Sequence, residues 1–115
     1  SMTDLLKTTL RMRPDRILVG EVRGPEALDL LMSWNTGHPG GSATLHANDA
    51  KAGLDRLETL ISMNKNAPSE IKPLIAEAVN IVVCIARTQT GRKIKEILEV
   101  NGYSNSENTY LTRIL

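Results

Sequence analysis

Phenylalanine is absent from this 115-residue sequence, and Trp34, Tyr103 and Tyr110 are its only aromatics. Any core must therefore be built from Leu, Ile, Val and Ala, which is ordinary for a parallel sheet flanked by helices. Cysteine is nearly absent. A single Cys84 excludes a disulfide framework within the chain, and its place in an apolar run predicts a small buried hydrophobe in a reducing compartment. Charge of one sign is missing as well: 14 basic and 13 acidic side chains leave a net +1, so no overall basic field marks a nucleic-acid binder. Long hydrophobic runs are lacking. Val79–Ala86, interrupted by Asn80, is far too short to span a bilayer. Thr3–Arg13 alternates polar and apolar residues without forming the apolar centre of a signal peptide.

A chain of this length forms one domain at most. Ser1-Met2 leads straight into helical periodicity with no preceding strand, from which we expect a piece of a longer protein. Thr3-Asp4 is expected to cap a helix carrying Leu5, Leu6, Thr9, Leu10 and Met12 and ending at Arg13, before Pro14. Arg16–Val22 reads as a short buried strand that ends in a carboxylate. Pro25 stands in the first turn of a helix with Ala27, Leu28, Leu30, Leu31 and Trp34 as its apolar residues and Gly37 as its C-cap. A short strand follows near Ser42–His46. Asn48-Asp49 caps a helix with Ala52, Leu54, Leu57, Leu60 and Ile61 facing inward until Met63-Asn64. Ser69 is placed to cap a third helix bearing Ile71, Leu74, Ile75, Ala78 and Val79. Ile81–Ala86 and Arg92–Val100 form a hairpin about the turn Thr88–Gly91, Asn101–Asn108 is polar, and Tyr110–Leu115 makes a last edge strand. This order is α/β, with a mainly parallel sheet flanked by helices and a C-terminal hairpin. Its chemistry is expected at the carboxyl ends of strands.

Two stretches carry candidate chemistry. In the first, three apolar residues, Ile17–Val19, precede Gly20-Glu21, placing a carboxylate where nucleotide hydrolases hold Mg²⁺, directly or through water, or polarise the attacking water. Arg23 lies two residues on, to order Glu21 or reach a phosphate. A plain strand-end carboxylate with a surface ion pair is the alternative. The second stretch, "GHPGGSATLHAN" over Gly37–Asn48, holds both histidines and three of the eight glycines. It is not a phosphate-cradling P-loop, because no Gly-Lys-Ser/Thr follows it, and "TQTGRK" (Thr88–Lys93) fails for the same reason. A metal site of His38 and His46 is poorly supported by one distant cysteine and no nearby carboxylate pair. His46, beside Thr44 and Asn48, suits hydrogen bonding to a phosphate or carrying a proton. The competing role is as a cap of the helix beginning near Asp49.

Together "LRMRPDRILVGEVRGPEAL" and "NTGHPGGSATLHAND" resemble the secretion traffic ATPases of type II and type IV secretion, pilus machines and conjugation, and most of all their conjugal-transfer, TrbB-type branch. The likeness runs from about Leu5 to Ile97. It implies a RecA-like (P-loop NTPase) core, homohexameric rings, ATP and Mg²⁺, and a cytoplasmic location peripheral to the inner membrane beside secretion-channel components. On this resemblance Ile17–Glu21 is the Walker B strand with Glu21 as its glutamate, catalytic and in reach of Mg²⁺. Gly37–Asn48 is the His box, with His46 near the γ-phosphate and His38 as a secondary loop residue. Leu10–Asp15 is the tail of the Asp box. Gly20, Arg23, Gly40, Thr44 and Asn48 become phosphate-proximal candidates.

The family's Walker A motif has no counterpart in these 115 residues, so the chain resembles the carboxy-terminal half of the motor and is expected to hold nucleotide poorly by itself. The alternative class is a non-catalytic interaction module of the same ring machinery. A nucleic-acid site on Arg87, Arg92, Lys93 and Lys95 is not expected, because the hairpin has no aromatic platform. Alone, the chain is expected to show negligible Mg²⁺-dependent ATPase activity and at most weak self-association. Steady-state phosphate release, compared with the Glu21→Gln variant, checks the first point; turnover that the substitution abolishes would refute it.

Overall fold

The structure, a computed structural model, describes residues 2–11, 18–36 and 40–115. In chain order these form α1 (Met2–Arg11), β1 (Leu18–Val19), α2 (Glu26–Asn35), β2 (Ser42–Ala43), α3 (Ala50–Ser62), α4 (Lys72–Ala78), β3 (Ile81–Thr88), β4 (Gly91–Ser104) and β5 (Thr109–Ile114). β1 and β2 pair in parallel, Leu18 with Ser42 and Val19 with Ala43. The larger sheet has the order β3-β4-β5 and is antiparallel throughout.

The expectation of a mainly parallel sheet is therefore corrected. The α/β character holds, but among the described residues parallel pairing is confined to two short strands. Connection length decides this: β3 passes to β4 through Gln89-Thr90, and β4 to β5 through Asn105–Asn108. Connections that short join antiparallel neighbours only, whereas a parallel neighbour needs a crossover of a dozen or more residues. β4 also runs further than the polar composition of Asn101–Asn108 implied. It continues to Ser104, with a bulge between Val100 and Gly102, and Gly102 takes a φ of 154° that other residues rarely adopt. Asn108, at φ 52°, closes the following turn in the left-handed region that asparagine tolerates.

The core lies where α2 packs on α3 and α4, which in turn meet the inner face of the antiparallel sheet. Leu30 and Leu31 from α2, Leu54, Leu60 and Ile61 from α3, and Ile75 from α4 are almost fully buried, joined by Leu98 and Val100 of β4. The helical spacing of these aliphatics anticipated the first two helices well. α4 is shorter than expected, beginning at Lys72 with Ile71 at its cap and no side-chain cap bond, so Ser69 does not cap it. On α1 Leu6 is buried while Leu5 is 63% exposed. Cys84 is half-buried rather than buried, its Sγ 3.8 Å from the Asn48 carbonyl. The C-cap expected at Gly37, and the expected strand residues Arg16 and Ile17, lie outside the described residues. α2 ends at Thr36, whose N–H reaches the Ser33 carbonyl.

Along β3 exposure alternates. Ile81, Val83 and Ile85 are exposed and Val82, Cys84 and Ala86 half-buried, as expected of a sheet packed on one face. Among the described residues the parallel pair and the antiparallel sheet are separate sheets. Between β2 and β3 lies an apolar groove of about 560 Å³, lined by Ala43 and Leu45 on one side and Ile81 and Val83 on the other, with Trp34 in its wall.

Asp49 caps α3, its carboxylate accepting from the Ala52 N–H at 2.7 Å, as the Asn-Asp pair predicted. Asp49→Ala is expected to cost about 1 kcal/mol of stability, measured by urea unfolding. Tyr110 gives a pH-dependent prediction. Its hydroxyl is buried without a hydrogen-bond partner, and burial, helped by the Glu58 and Asp55 carboxylates, pushes its pKa well above the ordinary 10.0. The folded state then keeps the phenol protonated at pH values where the unfolded chain ionises. Stability from this residue is complete below pH 10.0 and is lost as pH rises above that value. Tyr110→Phe is expected to leave stability at neutral pH unchanged or slightly raised and to flatten the alkaline loss, as followed by thermal melting across pH.

Candidate functional site

Glu21 stands two residues beyond β1, where the parallel pair ends. The pairing does not stop at Val19. The Val22 N–H donates to the Thr44 carbonyl at 2.8 Å, and the Thr44 hydroxyl donates to the Gly20 carbonyl. These two bonds hold the chain after β1 beside the chain after β2, although neither segment is strand. Thr44, a phosphate-proximal candidate, thus has a structural duty: its hydroxyl is committed to the backbone of Gly20. A Cβ at Gly20 would meet nothing within 4 Å, so packing does not require glycine there. Gly40, at φ 83°, does need glycine and belongs to the wall of the β2–β3 groove together with Gly41.

The structure brings Glu21, His46 and Arg23 together. One carboxylate oxygen of Glu21 lies 2.6 Å from His46 Nε2, and the other is engaged by Arg23 Nε. The Glu21 side chain is 19% exposed, against 94% for His46 and 82% for Arg23. A mostly covered carboxylate is therefore held between two solvent-facing donors. With such exposure neither contact adds much to stability. For Nε2 to meet the carboxylate it must carry a proton. Nδ1 then remains free, as an acceptor in the neutral ring or a donor in the charged one.

The loop carrying His46 is fixed from its far side. The Asn48 carbonyl accepts from Lys95 Nζ at 3.1 Å, and the Ala50 N–H at the start of α3 donates to Glu96 Oε1 at 3.2 Å. Asn48 thus contributes its backbone to the hairpin rather than a side chain to the Glu21 cluster. Glu26, at the first turn of α2, accepts from the N–H groups of Arg23 and Gly24, each at 3.2 Å, and sets the backbone that follows Glu21. Sequence reasoning missed Glu26, Lys95 and Glu96. For Glu26 a signal existed, a carboxylate just after Gly-Pro at a helix start. Lys95 and Glu96 lie 47 and 46 residues from their partners, beyond any local pattern. His38 lies outside the described residues.

The donor set bears on a metal. Among the described residues no cluster of three or more His, Cys, Asp or Glu could hold an ion. Mg²⁺ takes few protein oxygens and keeps water and substrate phosphates as its other ligands. Glu21 fits such a shared site as its one carboxylate, while the Thr44 hydroxyl is already spent on Gly20.

Comparison with known proteins places the chain in a family. The family described as Type II/IV secretion system protein matches residues 1–113. The conjugal transfer protein TrbB of Rhizobium radiobacter is 48% identical over 105 residues, covering 91% of this chain and 32% of that protein. The type IV secretion system protein PtlH of Bordetella pertussis is 40% identical over 91 residues, covering 76% and 27%. The crystal structure of the VirB11 ATPase from the Brucella suis type IV secretion system, in complex with sulphate, superposes with a TM-score of 0.79 at 34% identity, covering 84% of this chain and 31% of that one. The chain spans about a third of the length of the relatives it matches. No helix among the described residues is long and apolar enough to cross a membrane. With nearly its whole length matched and the strand-end glutamate and histidine loop in contact, this chain belongs to the type II/IV secretion system protein family, on the side of its conjugal-transfer and type IV secretion members.

Proposed function

We propose that the chain is part of a RecA-like secretion ATPase, the part that completes a nucleotide site whose phosphate cradle is supplied by another segment of a longer protein. The motor would hydrolyse ATP and drive type IV secretion, conjugative DNA transfer or pilus assembly, working as a hexameric ring at the cytoplasmic side of the inner membrane with secretion-channel components. The observation that carries this reading is the 2.6 Å contact between Glu21 and His46, two residues brought from separate segments to one end of the parallel pair in a chain of this family.

Each residue has a derivable part. Glu21, mostly covered and flanked by donors, is placed to orient an attacking water and to meet a Mg²⁺ ion carried by the phosphates. When bound, that ion offsets charge developing on the transferred phosphoryl group. His46 keeps one ring nitrogen on Glu21 and presents the other outward, where a donor to a phosphate oxygen gains strength as charge builds in the transition state. Arg23 screens the carboxylate and stays exposed enough to turn toward an arriving anion. Thr44 and Gly20 keep the two segments in register.

In the complete protein, Glu21→Gln is expected to abolish hydrolysis and spare ATP binding, since the amide keeps shape and removes the charge that organises metal and water. His46→Ala is expected to reduce turnover by roughly 10²- to 10³-fold with a modest change in nucleotide affinity. Single-turnover phosphate release and nucleotide titration on both variants check these outcomes. Unchanged turnover with a lowered melting temperature for His46→Ala would reduce the histidine to a structural part. Loss of ATP binding in Glu21→Gln would do the same for the glutamate.

A further inference from the structure

The tip of the β3–β4 hairpin carries charge that the rest of the chain does not neutralise. Arg87 and Arg92 stand directly opposite each other in the ladder, next to the Ala86–Lys93 pair. Among the described residues none of these three cations has a carboxylate partner. Like charges facing each other across a strand pair oppose its formation, and an external anion would relieve them. The neighbouring cross-strand pair, Ile85 and Ile94, is 60% and 62% exposed. The tip therefore presents cations and bare aliphatic surface side by side.

A surface of matching character lies elsewhere on the same chain. A groove of about 960 Å³ is lined by Leu28, Met32 and Tyr103 together with Asp29, Glu70 and Glu77, and by no Lys or Arg. One Asp29 oxygen is buried there without a hydrogen bond, which leaves anionic charge short of compensation. Part of the groove wall is the stretch Asn101–Tyr103 of β4, whereas Arg92 lies at the opposite end of that strand. Ten residues of strand separate the two by about 33 Å. A hairpin cannot reach the groove of its own chain.

We propose that the Arg87/Arg92 tip of one copy docks into the Asp29/Glu70/Glu77 groove of the next. Such a contact is head-to-tail, using two different surfaces of each copy, and it closes into a ring or continues as an open filament according to the rotation between copies. It stands independently of the nucleotide chemistry assigned to Glu21 and His46. A second copy is favoured over single-stranded nucleic acid because the groove answers both the charge and the apolar surface of the tip. Base stacking, by contrast, needs an aromatic, and none lies between Val82 and Gly102.

The test is sedimentation velocity on this chain over a concentration series at low and high salt. One variant combines Arg87→Glu with Arg92→Glu; a second combines Glu70→Lys with Glu77→Lys, both of which are exposed acids. Circular dichroism melting confirms that each folds. The wild-type chain is expected to associate weakly, and less so at high salt. Each variant alone is expected to lose roughly tenfold or more in association constant, and an equimolar mixture of the two variants to regain it, because reversed tip then meets reversed groove. A wild-type chain that stays monomeric throughout overturns the proposal, as does association that survives either reversal or a mixture no better associated than its parts. A salt-sensitive gel shift of single-stranded DNA, lost only in the arginine variant while the groove variant self-associates normally, would assign the tip to nucleic acid and overturn it equally.

Discussion

Everything at the Glu21–His46 site depends on how the stretch from Thr44 to Ala50 is tethered at both ends. At one end Thr44 bonds the backbone on either side of Glu21, by accepting from Val22 and donating to Gly20. At the other, Asn48 and Ala50 are held by Lys95 and Glu96 of β4, and Asp49 caps α3. The segment is mostly exposed, yet it is bonded to three different elements. The result is a short segment without regular structure whose position is set by the sheet, the helix and the strand end together. His46 sits within it with most of its ring in solvent, so the backbone is constrained and the side chain is left available.

The electrostatics follow the same division. Glu21 is the covered member of its cluster and its partners are the exposed ones. Ion pairs of that kind stabilise a fold little, so the arrangement is not explained by what it adds to folding. The folding free energy comes instead from the aliphatic layer between the helices and the antiparallel sheet, where Leu30, Leu31, Leu54, Leu60, Ile61 and Ile75 exclude water almost completely. Stability and chemistry are therefore carried by separate residues. α3 links them, burying Leu54 and Leu60 on one face while its first turn anchors the histidine loop.

Much of this was legible in the sequence, for physical reasons that differ from element to element. The helices α2 and α3 announce themselves by aliphatic spacing, by Pro25 at one start and by Asp49 at the other. The β3–β4 hairpin follows from alternation and a Thr-Gly turn. The residues flanking Gly20-Glu21 and His46 carried the family resemblance that the comparisons bear out. The hairpin and its edge strand were read correctly, but they were taken as an appendage to a parallel sheet, whereas among the described residues they form the larger sheet and the parallel pair the smaller. The start of α4 was misplaced because Ser69 has the chemistry of a cap, yet the backbone turns into helix only at Lys72, just before Pro73. The anchoring by Lys95 and Glu96 was invisible, because no local pattern reports a contact across more than forty residues.

The scarcity of aromatics, first met as a constraint on the core, gives the molecule a spectroscopic property. Trp34 is the sole indole, and it lies in the wall of the groove between β2 and β3 with its Nε1 buried and unpaired. Its emission therefore reports a single location, the seam between the parallel pair and the antiparallel sheet. The two tyrosines face each other across β4 and β5, away from that seam. Selective excitation of the indole reads the seam's polarity and hydration without any added label, in a chain where every other large apolar side chain is optically silent.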